Sequence, residues 1–216
     1  MELTDALRTT GAVRAFADEP VADATLHAIL DTARFAPSGG NRQPWRVAIV
    51  RDLDTRREMA SLMRTVWEEY VGANATGVTA FAFGRSIDAP PIAAPNPLLD
   101  AIDTIPVVLA VAADLRSIAM MDGNLDRPPV TGGASIYPFC WSILLAAREH
   151  GLGGVLTTFL SRAEPAIAPR LALPADHALV ATIFLGRPVH QNTKLRREPV
   201  NSFATIDRFD GDSFDA

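Results

Sequence analysis

The chain of 216 residues has one cysteine, Cys140, and no apolar run long enough to cross a membrane. A single cysteine excludes an internal disulfide and fits a reducing cytoplasm, so we interpret Cys140 as a small buried apolar residue. A membrane-spanning helix needs about 20 consecutive apolar residues, and no span is therefore expected. The opening MELTDALRTT has acidic residues and no apolar stretch, which argues against a signal peptide.

Positive charge and metal-binding patterns are also scarce. The net charge of −5 gives no basic face for nucleic acid. The four histidines are scattered and there is no cysteine pair, so no metal site is expected. A nucleophile elbow, a Walker loop and a dinucleotide-binding Gly-x-Gly-x-x-Gly turn are missing as well. A chain with no evident acid, base or nucleophile fits an enzyme whose cofactor carries the chemistry.

The composition, 48% apolar and 21% charged, is that of a globular protein, and the length favours one domain over residues 1–216. Apolar runs predict four strands, at 46–51, 105–113, 153–159 and 178–185. Helical spacing predicts five helices, at 2–9, 23–36, 55–71, 135–149 and 162–171. Asp23 and Asp54 are expected to cap the second and third of these helices.

The helix at 135–149 is apolar on nearly every side, which is typical of a buried helix. In a domain of this size, a second subunit is a reasonable partner for such a surface. Gly151 is expected to end the helix. The polar tail at 189–216 also needs a surface to lie on, so we expect a homodimer with the tail reaching across the partner.

Residues 72–100 are rich in Ala, Gly and Pro and have no periodic pattern. A long segment of this kind inside a domain is usually a functional lid or is disordered. Its only aromatic residues, Phe81 and Phe83, either cover a pocket or pin the loop. We predict that this segment is a lid that controls the choice of substrate.

Four short segments carry most of the functional information. The first is PSGGNRQPW at 37–45, whose prolines and glycines interrupt a helix and bring the backbone close to a flat ligand or simply make a turn. The second is RTTGAVRAF at 8–16, whose arginines, hydroxyls and glycine suit a phosphate. The third is GLGGVLTT at 151–158, and the fourth is RREP at 196–199. Taken alone, Thr157 and Thr158 are equally well explained as ordinary strand residues.

Together, in this order, the four segments resemble the nitroreductase-like family of FMN-dependent oxidoreductases, and they span nearly the whole chain. The resemblance implies an α+β fold, a three-layer α/β/α sandwich with a mainly antiparallel central sheet, in an intertwined homodimer. It also implies FMN as cofactor, NADH or NADPH as electron donor, and a nitroaromatic, quinone or related small molecule as acceptor.

The resemblance further implies roles for individual residues. Arg8, Thr9 and Thr10 would hold the FMN phosphate, with added contacts from Arg196 or Arg197. Arg14 would lie at the pyrimidine edge of the flavin, and Thr157 and Thr158 near its N5 edge. The partner chain would contribute the residues that face the flavin ring, which are Pro37, Ser38, Gly39 and Asn41.

The chain departs from the family at the arginine-rich segment, where the family usually has Arg-Arg-Ser-x-Arg. Here Arg8 and Arg14 are six positions apart rather than four. Either the loop bulges at Gly11-Ala12, or Thr10 takes the first position and Arg8 points elsewhere. Two other functions also fit the resemblance: a flavin-binding protein that stores or senses FMN, and a flavin enzyme that reductively removes a ring substituent such as a halogen.

Overall fold

The computed structural model describes residues 1–77, 79–82 and 89–215. Helices and strands are numbered here separately, in chain order. The helices are α1 (Leu3–Thr9), α2 (Asp23–Ala33), α3 (Leu53–Ala75), α4 (Pro97–Asp100), α5 (Tyr137–Glu149), α6 (Phe159–Arg162) and α7 (Glu164–Ile167). The strands are β1 (Trp45–Ile49), β2 (Val107–Asp114), β3 (Gly153–Thr157) and β4 (His177–Gly186).

The four strands form one antiparallel sheet in the order β1-β2-β4-β3. All eight residues of β2 are buried, as the continuous apolar run from Ile105 to Ala113 predicts. The register between β2 and β4 shifts between Val111 and Ala112, which face Ala181 and Leu179. Val180 is the extra residue of this β-bulge. The predicted antiparallel α+β fold is confirmed.

The sheet separates two apolar layers, because side chains alternate between the faces of a strand. Leu109 and Val111 pack with α2 and α5 on one face. Val108 and Ala110 pack with the α3–α4 and α6–α7 helices on the other. The result is a helix layer on each side of the sheet.

Several helix boundaries differ from the sequence prediction. Helix α2 ends at Ala33 rather than at 36, and the helix predicted at 162–171 is two short helices, α6 and α7. Ala22, not Asp23, is the N-cap of α2, and its side chain makes no capping bond. The N-cap of α3 is Asp52, not Asp54: the Thr55 backbone N–H donates to the Asp52 carboxylate at 2.8 Å. Helix α3 also continues to Ala75, four residues beyond the predicted end. The prediction for α3 was wrong because two acidic residues, Asp52 and Asp54, lie near its start, whereas α2 begins after an alanine that has no capping group.

Helix α5 ends in a Schellman motif, as Gly151 predicts. Gly151 has a φ of +70°, and its N–H bonds to the Arg148 carbonyl while the Leu152 N–H bonds to the Ala147 carbonyl. Six residues of α5 are buried, whereas Tyr137 and Trp141 are 44% and 39% exposed. In a single chain, α5 is therefore buried on most but not all sides.

Part of the segment 72–100 is helical rather than loop. Its first residues belong to α3 and its last residues to α4. Its later part runs back along α3: the Ile92 N–H donates to the Glu68 carbonyl and the Trp67 indole to the Ala94 carbonyl. Phe83 lies outside the described residues. None of the described helices has the length and hydropathy of a membrane span.

Candidate functional site

A cleft in the described part of the molecule has Arg14 at its centre. Two adjoining hollows of about 460 and 360 Å³ are both lined by Arg14 and Leu156. The smaller hollow continues to Thr10 and is called here the narrow end. The larger continues to Thr157 and Thr158 and is called the wide end. The cleft therefore joins two sequence segments that are almost 150 residues apart.

Arg14 is held in place by its backbone neighbours. The Val13 N–H donates to the Gly154 carbonyl on the edge strand β3 at 2.9 Å, and Val13 is 2% exposed. Close approach here needs glycine, because a Cβ on Gly153 would lie 2.6 Å from Val13 Cγ2. On the other side Phe16 forms a β-bridge with Pro188. The Arg14 side chain remains exposed and reaches both hollows.

The narrow end lies between the end of α1 and one side of α5. Thr10, Gly11 and Ala12 form one wall, and Tyr137 and Trp141 lie on the other. The hydroxyl of Thr10, which is 8% exposed, donates to the Ala6 carbonyl at 2.7 Å. The hydroxyl of Thr9 likewise donates to the Asp5 carbonyl at 2.6 Å. Both hydroxyls are therefore committed as donors to the last turn of α1 and remain able to accept.

The wide end is aromatic. Trp67 and Tyr70 stack with ring centroids 5.9 Å apart, and Phe159 packs against both, at 5.9 and 6.0 Å. Phe81 joins this cluster through Tyr70, and the Arg162 guanidinium lies 4.3 Å from the centroid of the Phe81 ring. Pro95, Asn96, Pro97 and Leu98 complete the wall of the hollow. Such a surface suits a planar aromatic molecule.

Thr157 carries an unpaired hydroxyl at the wide end. Its Oγ1 is buried and makes no hydrogen bond with the described residues. Thr182, directly opposite on β4, has a buried hydroxyl in the same state. Buried polar groups without partners are uncommon and costly. Because Thr157 lines the cleft and Thr182 does not, a ligand in the cleft would satisfy only Thr157.

The charges around the cleft are arranged for an anion. Ten arginines elsewhere in the described chain pair with carboxylates; they are Arg34, Arg51, Arg57, Arg64, Arg116, Arg127, Arg162, Arg170, Arg187 and Arg208. Among the described residues, eight arginines have no such partner; they are Arg8, Arg14, Arg42, Arg46, Arg56, Arg148, Arg196 and Arg197. Only Arg14 lines the cleft, and its positive charge, not neutralised by a described carboxylate, favours an external anion there.

The loop from Pro37 to Asn41 lies apart from the cleft. Pro37, Ser38 and Gly39 line a separate depression with Ala119, Met121 and Ser135. The Gly39 N–H donates to Ser135 Oγ at 3.0 Å, and Gly40 and Asn41 have φ values of +61° and +52°. The Asn41 amide oxygen accepts from Gln43 Nε2 at 3.1 Å. One chain thus builds two separate parts of the predicted site.

The remaining predicted residues lie at the margins. Arg8 is exposed on the last turn of α1 and, unlike Thr10, does not line the cleft. Gln191 Nε2 donates to the Gly11 carbonyl at 3.0 Å, so the tail begins beside the narrow end. Arg196 and Arg197 follow a few residues later and are exposed. Arg197 donates to the Arg196 carbonyl.

Several lining residues escaped the sequence analysis. Tyr137, Trp141 and Leu144 fall at i, i+4 and i+7 on α5 and therefore share one side of that helix. This spacing could have identified the side of α5 that faces the cleft. It does not stand out in the sequence, because α5 is apolar on most of its sides. Phe159 directly follows Thr158 and gave no signal at all.

Neither a reactive cysteine nor a metal-binding cluster is found at the site within the described residues. Cys140 is fully buried, and burial raises the pKa of its thiol to about 12, so it stays a neutral apolar residue as predicted. Over the described ranges, no cluster of His, Cys, Asp or Glu is arranged to hold a metal ion.

Comparison with known proteins identifies relatives across most of the chain. The model of the nitroreductase family matches residues 7–187. A 5,6-dimethylbenzimidazole synthase of Rhodobacter capsulatus is 29% identical over 86% of this chain and 83% of its own length. A nitrobenzene nitroreductase of Ectopseudomonas oleovorans is 28% identical over 85% of this chain and 86% of its own.

A solved structure shares the fold along almost its full length. The crystal structure of a putative nitroreductase in complex with FMN from Desulfovibrio desulfuricans superimposes with a TM-score of 0.68. The match covers 97% of this chain and 98% of that one, at 21% sequence identity. At this identity the likeness establishes the fold alone.

Proposed function

This chain belongs to the nitroreductase family, and we propose that it is an FMN-dependent oxidoreductase. It would take electrons from NADH or NADPH and pass them to a nitroaromatic, quinone or related small acceptor. The observation that carries the proposal is the continuous cleft from Thr10 past Arg14 to Thr158, which brings together the Arg14 guanidinium and the buried Thr157 hydroxyl, both without a partner among the described residues.

The residues of the cleft fit a flavin nucleotide. The two hollows together offer length for an extended ligand, with Arg14 between them and aromatic rings in the wall of each. The Thr157 hydroxyl, buried and without a partner among the described residues, would be satisfied by a ligand in the cleft. Thr9 and Thr10 would meet the phosphate end, with Arg8, Arg196 and Arg197 adding charge. Since Thr10 lines the cleft and Arg8 does not, we assign Thr10 the nearer position.

Arg14, Thr157 and Thr158 would surround the ring system. FMN, when bound, would supply the electron transfer between donor and acceptor. The Arg14 guanidinium would stabilise negative charge on the reduced ring through a charge-assisted hydrogen bond. The Thr157 hydroxyl would donate to a ring nitrogen, which holds the ring in one orientation. The aromatic wall of Trp67 and Tyr70 would exclude water and receive a planar acceptor.

We also propose an obligate homodimer, because one chain leaves complementary surfaces uncovered. Phe203 is 71% exposed and Phe209 fully exposed in the tail, while Tyr137 and Trp141 are exposed on α5. Large apolar surfaces of this kind are typical of obligate interfaces. The loop containing Pro37, Ser38, Gly39 and Asn41 is separate from the cleft of its own chain, so it would face the flavin of the partner.

The test is an absorbance spectrum of the native protein followed by anaerobic titration with NADH and with NADPH. We expect a flavin spectrum that is bleached by one or both nucleotides and restored by a nitro compound. A yellow protein that neither nucleotide bleaches would instead favour a storage or sensing protein. Bleaching with recovery only on a halogenated aromatic would favour reductive dehalogenation. A colourless protein that FMN cannot reconstitute would contradict the proposal.

A further inference from the structure

Arg148, in the last turn of α5, has a guanidinium that the described chain leaves short of partners. Its Nη2 lies 3.4 Å from Thr9 Oγ1, a long hydrogen bond. Its Nε is buried and has no hydrogen-bond partner among the described residues. Those residues also place no carboxylate within ion-pair distance of it. A partly buried cation without an anion is unfavourable, so the environment suits an anion from outside the chain.

Arg148 also lies on the side of α5 that faces the cleft. Tyr137, Trp141 and Leu144 line the narrow end, and Arg148 follows Leu144 by four residues on the same stripe. The contact with Thr9 places the guanidinium at the end of α1, next to Thr10 of the narrow end, although Arg148 itself does not line either hollow. A helix in the core of the fold therefore carries this cation, whereas Arg8, Arg196 and Arg197 are on exposed segments.

The neighbouring polar groups cannot neutralise an anion by themselves. The Thr9 and Thr10 hydroxyls donate to the α1 carbonyls, and Gln191 donates to the Gly11 carbonyl. Thr10 also occupies the position four residues before Arg14 with an uncharged side chain. Within the described residues, two guanidiniums held by the fold lie at this end of the cleft: Arg14, which lines both hollows, and Arg148, which lies behind the narrow end in contact with Thr9. Arg148 is the one of the two that does not also line the wide end.

We propose that Arg148 binds the phosphate monoester of the flavin nucleotide, a role that rests on the proposed function. A phosphate monoester carries up to two negative charges and accepts paired hydrogen bonds from a guanidinium. Arg148 therefore contributes to the distinction between FMN and riboflavin, which lacks the phosphate.

The experiment titrates the full-length apoprotein with FMN and, separately, with riboflavin, by quenching of flavin fluorescence. The variants are Arg148→Gln, which keeps an amide donor for Thr9, and Arg148→Lys, which keeps the charge without the fork. Arg57→Gln is the matched control, because Arg57 pairs with Asp103 on the opposite helix layer. We expect R148Q to weaken FMN binding about tenfold or more and riboflavin binding less than about twofold. R148K should lie between R148Q and the wild type, and R57Q should change neither affinity.

Equal weakening of FMN and riboflavin would mean that Arg148 supports the fold rather than the phosphate, and would overturn the proposal. Unchanged FMN affinity in R148Q would also overturn it. If R148Q does not fold, R148K is judged by the same criterion, a loss confined to FMN. A wild type that binds neither flavin overturns the proposed function as well, whereas a wild type that binds FMN beside an unaffected R148Q overturns only the role of Arg148.

Discussion

At the residue scale, Arg14 and Arg8 provide the sharpest contrast. Arg14 lines both hollows on a backbone tied to β3, while Arg8 is exposed on a short helix. Arg14→Ala should weaken FMN binding at least about tenfold, since it removes a hydrogen bond from a charged donor. It should also lower the midpoint potential, because the reduced ring loses a nearby cation. Measurement of FMN affinity and potential for both variants tests this.

Arg8→Ala should weaken FMN binding less than Arg14→Ala and leave the potential almost unchanged. The electrostatic interaction between a cation near the phosphate and the distant flavin ring is weak, since solvent and counterions screen it. A shift in potential in Arg8→Ala but not in Arg14→Ala would reverse the assignment of the two arginines.

Thr157 and Thr182 form a natural matched pair of orphaned hydroxyls. Each buried hydroxyl without a partner costs about 1 kcal/mol or more, so Thr→Val at either position should stabilise the apoprotein by roughly that amount. Only Thr157→Val should also weaken flavin binding, because only Thr157 lines the cleft. Chemical unfolding of the apoprotein and FMN titration measure the two effects. Weaker flavin binding in both variants would show that the loss comes from the strand pair and not from a flavin contact.

The residues of the site were predictable from sequence to different degrees. Arg14, Thr157 and Thr158 stand in recognisable segments, and the fold does bring them into one cleft. Arg148 and Phe159 carry no local pattern. The importance of Arg148 comes from a contact with Thr9 across 139 positions, which only the packing of α1 on α5 creates.

At the scale of elements, the connection from Ile118 to Ile136 is organised by one carboxylate. Asp122, 5% exposed, accepts from the Thr131 hydroxyl and from the Val130 and Thr131 N–H groups, and it pairs with Arg127. The Thr131 hydroxyl, followed by the Val130 N–H, holds the pKa of Asp122 well below its ordinary value of 3.8. The same connection carries Ser135, which accepts from Gly39 and so positions the loop at 37–41.

Asp122 should therefore make the stability depend on pH in acid. A carboxyl group whose pKa is lower in the folded state stabilises it above the unfolded pKa, and this stabilisation is lost as the pH falls through the folded pKa. Unfolding free energy should thus decrease from about pH 4 downwards in the wild type, and less steeply in Asp122→Asn. Denaturant titrations between pH 5 and 2 measure this, with Asp126→Asn, an exposed acid in the same connection, as control. Identical slopes in wild type and Asp122→Asn would contradict the expectation.

We propose that the segment 72–100 acts as a lid, and Phe81 should then affect the choice of acceptor. Phe81 contacts Tyr70 and Arg162 beside the wide end. Phe81→Ala should change the ratio of kcat/KM values between a bulky and a small acceptor by about two- to tenfold, as the loss of an aromatic contact predicts. Flavin content should not change. Ile92→Ala, in the same segment but away from the cleft lining, is the control. Loss of FMN in Phe81→Ala would assign the segment to the cofactor site instead.

Elements were more predictable than their ends. The four apolar runs become the four strands, although only β2 is buried along its whole length and β1 is partly exposed. The N-caps of α2 and α3 were predicted wrongly because an acidic residue, Asp23 or Asp54, lies one or two positions after the true N-cap and looks like a better cap in the sequence. The strand order β1-β2-β4-β3 has no local signature in the sequence.

At the scale of the whole molecule, the tail should determine assembly. Phe209 is fully exposed in one chain, so Phe209→Asp should leave the fold of a chain intact but weaken a dimer in which the tail crosses the partner. We expect the wild type to be a dimer at micromolar concentration by light scattering, and Phe209→Asp to dissociate and lose FMN. Leu53→Asp, at an exposed apolar position on α3, should remain a dimer. A monomeric wild type with FMN still bound would contradict the proposed dimer.

Labelling of Cys140 can report when the core of the chain opens. The sulfur is fully buried within the packing of α2, α5 and the sheet, and the raised pKa of its thiol keeps it protonated at neutral pH. A thiol reagent can therefore reach it only when this layer opens. Because the chain has no other cysteine, the rate of labelling at Cys140 measures how frequently this layer opens. Comparing the labelling rate with and without FMN would show how far ligand binding slows the opening of the core. No engineered cysteine is needed.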